Sequence, residues 1–332
     1  MLQLFRSNQI YILPLLLLVT LLFRAVGFLS IPETPINHSG ILSDVVYTFV
    51  GSVGLVPQIL ALVLVFIQAW LTNAIVNEYQ LLPENTWYPA VFFLILSSFA
   101  PEMQTLSPIL MGNTFFMIAL IETFRSYKHL QTADTIFNIG FWVAVASMFY
   151  ASYWVFLIWG LLGITLLRNF KLEETLILII GFFVPYFLIC VYFFWTNSLG
   201  EFLEKEVWGH FGFFNFNLEL TWQHLVIVIV WGISLASAIL NASSFYDKTS
   251  IQAQRSIQLL FWAMGLVVVS VFTQAKIDIN HLLLFLVPLS VFTASTFLQV
   301  RKVMYAEFAF IVFVFVMLVF QYQEPILAIL DK

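Results

Sequence analysis

Long apolar runs alternate with short polar breaks along this chain, and the runs carry almost no charge. A helix of ~20 apolar residues crosses a hydrocarbon core ~30 Å thick. On that measure the pattern predicts eleven helical spans, at 9–29, 55–76, 87–101, 105–121, 135–150, 152–167, 175–195, 223–240, 257–274, 280–299 and 306–322. No stretch alternates as a membrane-barrel strand does, so helices are the expected elements. Two pairs are short. Trp87–Ile121 breaks at "APEMQ" and Thr135–Leu167 breaks near "YASY". Their halves of roughly 15 residues either span or form re-entrant hairpins, and neither choice alters the direction of the other spans.

Lys and Arg set that direction, because they accumulate on the cytoplasmic side. With the N-terminus inside, Arg6, Arg125, Lys128, Arg168, Lys171, Lys248, Arg255, Arg301 and Lys302 are cytoplasmic, nine in all. Arg24, Lys205, Lys276 and Lys332 are outside. The expectation is an all-α, polytopic protein, N-in and C-out, forming one domain over 1–332. Ile10–Phe23 runs into Arg24 without a small-residue cleavage site, so it reads as a retained first span. Two outer loops, 30–54 and 196–223, are long. In the first, Leu42, Val45, Val46 and Phe49 share a helical face away from Asp44, Thr48 and Ser52, the pattern of an interfacial helix. The second interleaves Glu201, Glu204, Glu206 and Glu219 with Trp208, Phe211, Phe213, Phe214 and Phe216, which suits the headgroup layer.

Composition agrees. The 332 residues are 61% hydrophobic and 9% charged, too little charge to cover a soluble domain. A membrane is the expected location. The single Cys190 excludes an intrachain disulfide and a cysteine metal site. No basic patch exists for nucleic acid. Phosphate loops, nucleophile elbows and zinc-protease motifs are absent. The five histidines do not pair at ligand spacing, so no metal and no cofactor are expected. The spans also lack ionisable groups near their centres, which weakens ion-coupled transport.

What chemistry remains gathers at the outer face. Arg24 interrupts an apolar run, so its charge must meet water, an acid or a lipid phosphate. Arg24, Lys276 and His281 are the candidates for holding a lipid phosphate. Asp44 or Glu33 is the candidate base toward an acceptor hydroxyl. Glu102 and Asp278 are candidates for lining the same cavity. The plainer reading competes at each position: interfacial acids, a snorkelling lysine and a helix-mouth histidine are common at such places. Asn73 and Asn77, spaced i, i+4, read as glue between helices.

This plan resembles the C-type superfamily of membrane glycosyltransferases. The resemblance implies an N-in bundle, an acidic residue in the first outer loop and a second large outer loop near the middle. Glu33 and Asp44 occupy the first feature and 196–223 the second. "HLLLFLVPLSVFTAS" resembles the basic residue and proline-bearing Leu-rich helix near the end of such chains, through His281 and Pro288. The adjacent Asp-Glu pair of many members has no counterpart in "IPETPINHSGILSD". The implied partners are membrane lipids and a polyprenyl-phosphate sugar. A non-enzymatic scaffold or accessory subunit with envelope protein partners is the alternative, and a lipid or small-solute transporter is the third.

A second resemblance spans most of the chain. "LVFIQAWLTNAIVNEYQLLPENTWYPAVFFLILSSFAPEMQTLSPILMGNTFF" and "FNIGFWVAVASMFYASYWVFLIWGLLGITLLRNF" are similar to an integral-membrane family of Bacteroidota. Such proteins are often labelled beta-carotene monooxygenase. That chemistry needs iron on clustered histidines, which this sequence lacks.

Overall fold

A backbone crossing hydrocarbon has no water to bond, so each N–H and C=O must be satisfied within the protein. The computed structural model meets this with helices. It describes residues 2–7, 9, 11–29, 40–127, 133–168, 170–204, 222–240, 250–272, 278–300 and 302–330, with backbone alone at 29, 201, 222, 223, 238 and 323–330. Among the described residues there are helices and turns and no strand.

The helices are α1 Ile12–Phe23, α2 Ala25–Leu29, α3 Ile41–Val50, α4 Leu55–Glu78, α5 Tyr88–Ser97, α6 Pro108–Arg125 and α7 Ala133–Phe149. They continue with α8 Phe156–Leu167, α9 Leu172–Trp195, α10 Leu199–Phe202, α11 Trp222–Leu240, α12 Ile251–Val271, α13 Leu286–Gln299 and α14 Val303–Leu330. Each expected span contains a helix. Among the described residues, five helical stretches are long and apolar enough to cross a membrane: Leu55–Glu78, Leu172–Trp195, Ile251–Val271, Ile279–Gln299 and Val303–Tyr322. The fourth begins as the 3-10 turn Ile279–Phe285 and continues as α13.

The first short pair is resolved as an uneven hairpin. α5 has ten residues, so it rises only ~15 Å. Every one of those residues is buried, because α5 runs through the middle of the bundle against α1, α4 and α13. Phe92 of α5 meets Phe297, Phe310 and Phe313, at ring distances of 4.6, 6.1 and 6.3 Å. Part of the phenylalanine content is therefore core packing. The chain then makes an irregular return through the 3-10 turn Glu102–Gln104 into α6. Ser107 caps α6, accepting from the Leu110 N–H at 3.2 Å. α4 and α6 lie side by side in the same direction. Gln68 donates to the Leu110 carbonyl at 2.7 Å, and eleven residues on, Tyr79 donates to the Ile121 carbonyl at 3.3 Å.

The second short pair breaks at Tyr150, followed by the 3-10 turn Ala151–Val155 and α8. Here the two glycines of α7 and α9 let backbone meet backbone. A methyl added at Gly140 would stand 2.1 Å from the Leu178 carbonyl oxygen, and one at Gly181 would stand 2.3 Å from that of Phe137. Close approach through small residues is how membrane helices gain packing energy, since lipid tails are as apolar as Leu.

At the end opposite the N-terminus, α3 docks on the last turn of α7. Gly40 N–H donates to the Phe149 carbonyl at 3.0 Å, and the Ser43 hydroxyl reaches the same oxygen at 3.2 Å. The N-terminal end is tied by the Trp87 N–H, which donates to the Phe5 carbonyl at 2.8 Å, and by Arg6, which holds Glu84 through two bonds of 3.1 Å.

The glycine contact gives a stability prediction. Gly181→Val should destabilise the detergent-solubilised protein by about 1–3 kcal/mol, the usual cost of overpacking. Gly265→Ala, where the added atom meets nothing within 4 Å, should leave the melting temperature unchanged or slightly higher. Thermal denaturation of the two variants checks this, and an equal fall in both would contradict the packing account.

Candidate functional site

The α3 end of the bundle collects most of the residues singled out above. Glu33 and Lys276 lie outside the described residues, so their placement is not part of the geometry below.

Arg24 ends α1 and is only 2% exposed. Its guanidinium donates to three backbone carbonyls of the α5–α6 return: Gln104 at 2.9 Å, Met103 at 3.1 Å and Ser97 at 3.2 Å. Ser97 is in the last turn of α5, where a helix presents unsatisfied carbonyls and the negative end of its dipole. The expectation of a cation open to lipid phosphate is therefore corrected. Arg24 found its partner inside the protein, in peptide oxygens, and only the buried Nε lacks a partner among the described residues.

Side chains with no prior claim to function complete this knot. Gln104 accepts from the Gly27 N–H at 3.2 Å and donates to the Ser98 carbonyl at 3.4 Å. Gln321 of α14 donates to the same Ser98 carbonyl. The return is thus fixed to α1, α2 and α14 together. The sequence signal was the polar break "APEMQ", which marked a turn without showing that its glutamine points inward.

His281 is also corrected from mouth to interior. It is 2% exposed, with Nδ1 3.0 Å from the Tyr150 hydroxyl and Nε2 2.9 Å from the Ser270 hydroxyl. Ser270 donates its own proton to the Val267 carbonyl at 2.7 Å. With the Ser270 proton given to Val267, the Nε2–H of His281 donates to the Ser270 oxygen. The histidine locks the turn Ile279–Phe285 to α7 and α12 and presents no free face to a phosphate.

The carboxylates keep more exposure. Asp44 is half-buried on α3, beside Tyr47. The Tyr47 hydroxyl donates to the Leu106 carbonyl at 2.8 Å, so α3 is pinned to the α5–α6 return as well as to α7. Burial, and then the Asp44 charge, hold the Tyr47 phenol above its usual range, which keeps it a donor. Glu102, in the same return, stands 3.7 Å from Nε2 of His224 on α11, an ion pair when that histidine is protonated. Asp278 is exposed and accepts from the Asn280 amide at 2.9 Å. Asp44 and Glu102 therefore belong to elements bound to one another. Arg24 and His281 are buried inside the bundle. Among the described residues no three of His, Cys, Asp and Glu stand together as metal ligands.

A further polar contact between helices lies about one to three turns along α4 from Asn73 and Asn77. Gln68 and Asn113 pair across α4 and α6, Asn113 donating to Gln68 at 3.1 Å and Gln68 donating to Thr114 at 2.8 Å. The side-chain oxygens of Asn73 and Asn77 have no hydrogen-bond partner among the described residues.

Helices of membrane length, packed through glycines and polar knots, define a multi-pass helical membrane protein. The chain belongs to DUF6427, a family of unknown function whose model matches residues 7–330. No curated protein and no solved structure matches the chain.

The knot predicts a specific sensitivity. Arg24→Met strips three buried carbonyls of their donor, at about 1–3 kcal/mol for each group left unsatisfied. Arg24→Lys, with a point charge on a flexible stem, should recover only part of that loss. Folded yield and melting temperature in detergent measure it, with Glu102→Gln as a near-neutral control in the same return. Wild-type stability in Arg24→Met would contradict the assignment.

Proposed function

We propose that this protein works at the outer face of the bacterial inner membrane as a glycosyltransferase-like protein of the C-type plan. Its substrate is a lipid-phosphate-linked sugar. Its topology is N-in and C-out, with eleven helical segments and α3 lying in the outer interface. Asp44 is the base: it takes the proton of an acceptor hydroxyl as that oxygen attacks the anomeric carbon, and the lipid phosphate leaves with the electrons of the broken C–O bond. Glu33 is the second candidate for that role.

The observation that supports the reading is the mounting of Asp44. Its helix is held at three points, through Gly40, Ser43 and Tyr47, to two other elements. A base must be held in register with its substrate, and a carboxylate on a pinned helix meets that need better than one on a free loop. With Arg24 and His281 engaged inside the protein, the phosphate falls to Lys276.

The second reading is a non-enzymatic scaffold or accessory subunit of an envelope assembly. The same two residues favour it, since both of these proposed phosphate ligands have structural partners.

One set of variants separates the two. Asp44→Asn, Glu33→Gln and Lys276→Ala are expressed at normal protein levels in cells with a measurable envelope-glycan phenotype. Loss of a general base lowers turnover by about 10²–10⁴-fold, so at least one acid-to-amide change should abolish the phenotype. Full activity in all three sinks the enzyme reading. Stable co-purification of partner proteins with all three tolerated supports the scaffold.

A further inference from the structure

A pocket of about 560 Å³ lies between the end of α7, the turn Ala151–Val155 and α9. That volume is within the ~300–1,000 Å³ typical of small-molecule sites. Trp154, Phe182, Phe183 and Phe187 line it, with Phe202 from α10 and Ile41 from α3. α10 is folded back on α9, with the Phe202 ring stacked on Phe193 at 4.8 Å and 7°. Two hydroxyls enter this apolar wall. Ser147 donates to the Ala144 carbonyl at 2.7 Å, so it accepts from the Tyr186 hydroxyl, also at 2.7 Å.

Two features identify what fills it. The first is the side on which it opens. α9 is of membrane length, and Ile180, Phe183, Phe187 and Val191 are exposed along it, so the pocket opens on the apolar flank of a helix long enough to cross a membrane. An apolar hollow beside lipid gains dispersion contacts when a chain enters, and loses them when it stays empty. The second is charge. The charged residues nearest in sequence to the lining residues Ile41 and Phe202 are Asp44, Glu201, Glu204, Lys205 and Glu206, four acids against one base. Carboxylates at a lipid interface favour a headgroup that carries a cation.

We infer that the pocket holds one acyl chain of an aminophospholipid from the leaflet at the α3 end, with the ammonium headgroup toward Asp44 and Glu204. The site does not require glycosyl transfer. It uses Asp44 as a charge and the pocket as a shape, so it stands or falls separately from the proposed function.

The test uses the full chain in phosphatidylcholine nanodiscs doped with phosphatidylethanolamine carrying a photoactivatable group on its acyl chain. Crosslinks are mapped by mass spectrometry to the pocket and, for comparison, to the lipid-exposed Phe308 and Phe315 of α14. Labelling should concentrate several-fold at the pocket. It should fall there, and not on α14, in Ala151→Trp and in Cys190→Trp, two independent fillings of the hollow. The same probe with a phosphatidylglycerol head should label the pocket less, and Glu204→Gln should narrow the difference. Even labelling of pocket and α14, survival of the label in both filled variants, or equal labelling by the anionic probe overturns the inference. Displacement by an isoprenoid phosphate at lower concentration than by phosphatidylethanolamine overturns the named occupant and assigns the pocket to the glycosyl-transfer substrate.

Discussion

The guanidinium of Arg24 is the point on which this architecture depends. α5 is too short to cross a bilayer, and the chain after it returns as irregular backbone. Irregular backbone at membrane depth survives only where protein satisfies its polar groups. Arg24 supplies three donors to that return from a single planar group, and Gln104 and Gln321 supply two more to Ser98. Removing the charge would leave three buried carbonyls without that donor, so the residue that looks costliest to bury is the one that holds the hairpin together.

The same device recurs at the other end of the bundle. Arg168 donates to the Ser126 carbonyl at 2.9 Å, at the C-terminal cap of α6, while gripping Glu174 at 2.9 and 3.1 Å. Arg255 donates to the Leu166 carbonyl at 2.9 Å, in the last turn of α8. In each case an arginine from one segment completes the carbonyl end of a neighbouring helix, where orphan acceptors and the negative pole of the dipole coincide. These contacts tie helices that apolar surfaces alone would not order, because lipid competes equally for such surfaces. The glycine contact of α7 with α9 supplies the complementary element, close backbone packing.

Much of this was legible in the sequence. Each apolar run became a helix, because a run of Leu, Ile and Phe between polar breaks has no other stable form in hydrocarbon. The spacing of 42–49 marked α3 as a helix, but the expected apolar face divides: Val45 and Phe49 are exposed, while Leu42 and Val46 pack on the core beside the fully buried Ser43. Arg24 was recognisable as a charge in need of a partner. The partner was not, because peptide carbonyls exist at every position and leave no mark on the sequence. His281 misled for a related reason: its place at the head of an apolar run suggests a mouth, while the 3-10 turn tucks it under Tyr150. Asp44 and Glu102 were recognisable as acids in the breaks between apolar runs, but their fixation through Tyr47 and His224 depends on contacts 59 and 122 positions away in the chain.

Hydrogen exchange measured residue by residue in nanodiscs tests the central claim most directly. If Arg24 holds the α5–α6 return as buried, bonded backbone, amides of 97–107 in the wild-type protein will exchange as slowly as those of α5. In Arg24→Met that protection will drop locally while the α7–α9 pair keeps its own. Fast exchange of 97–107 in the wild-type protein, or protection unchanged by Arg24→Met, would contradict the account.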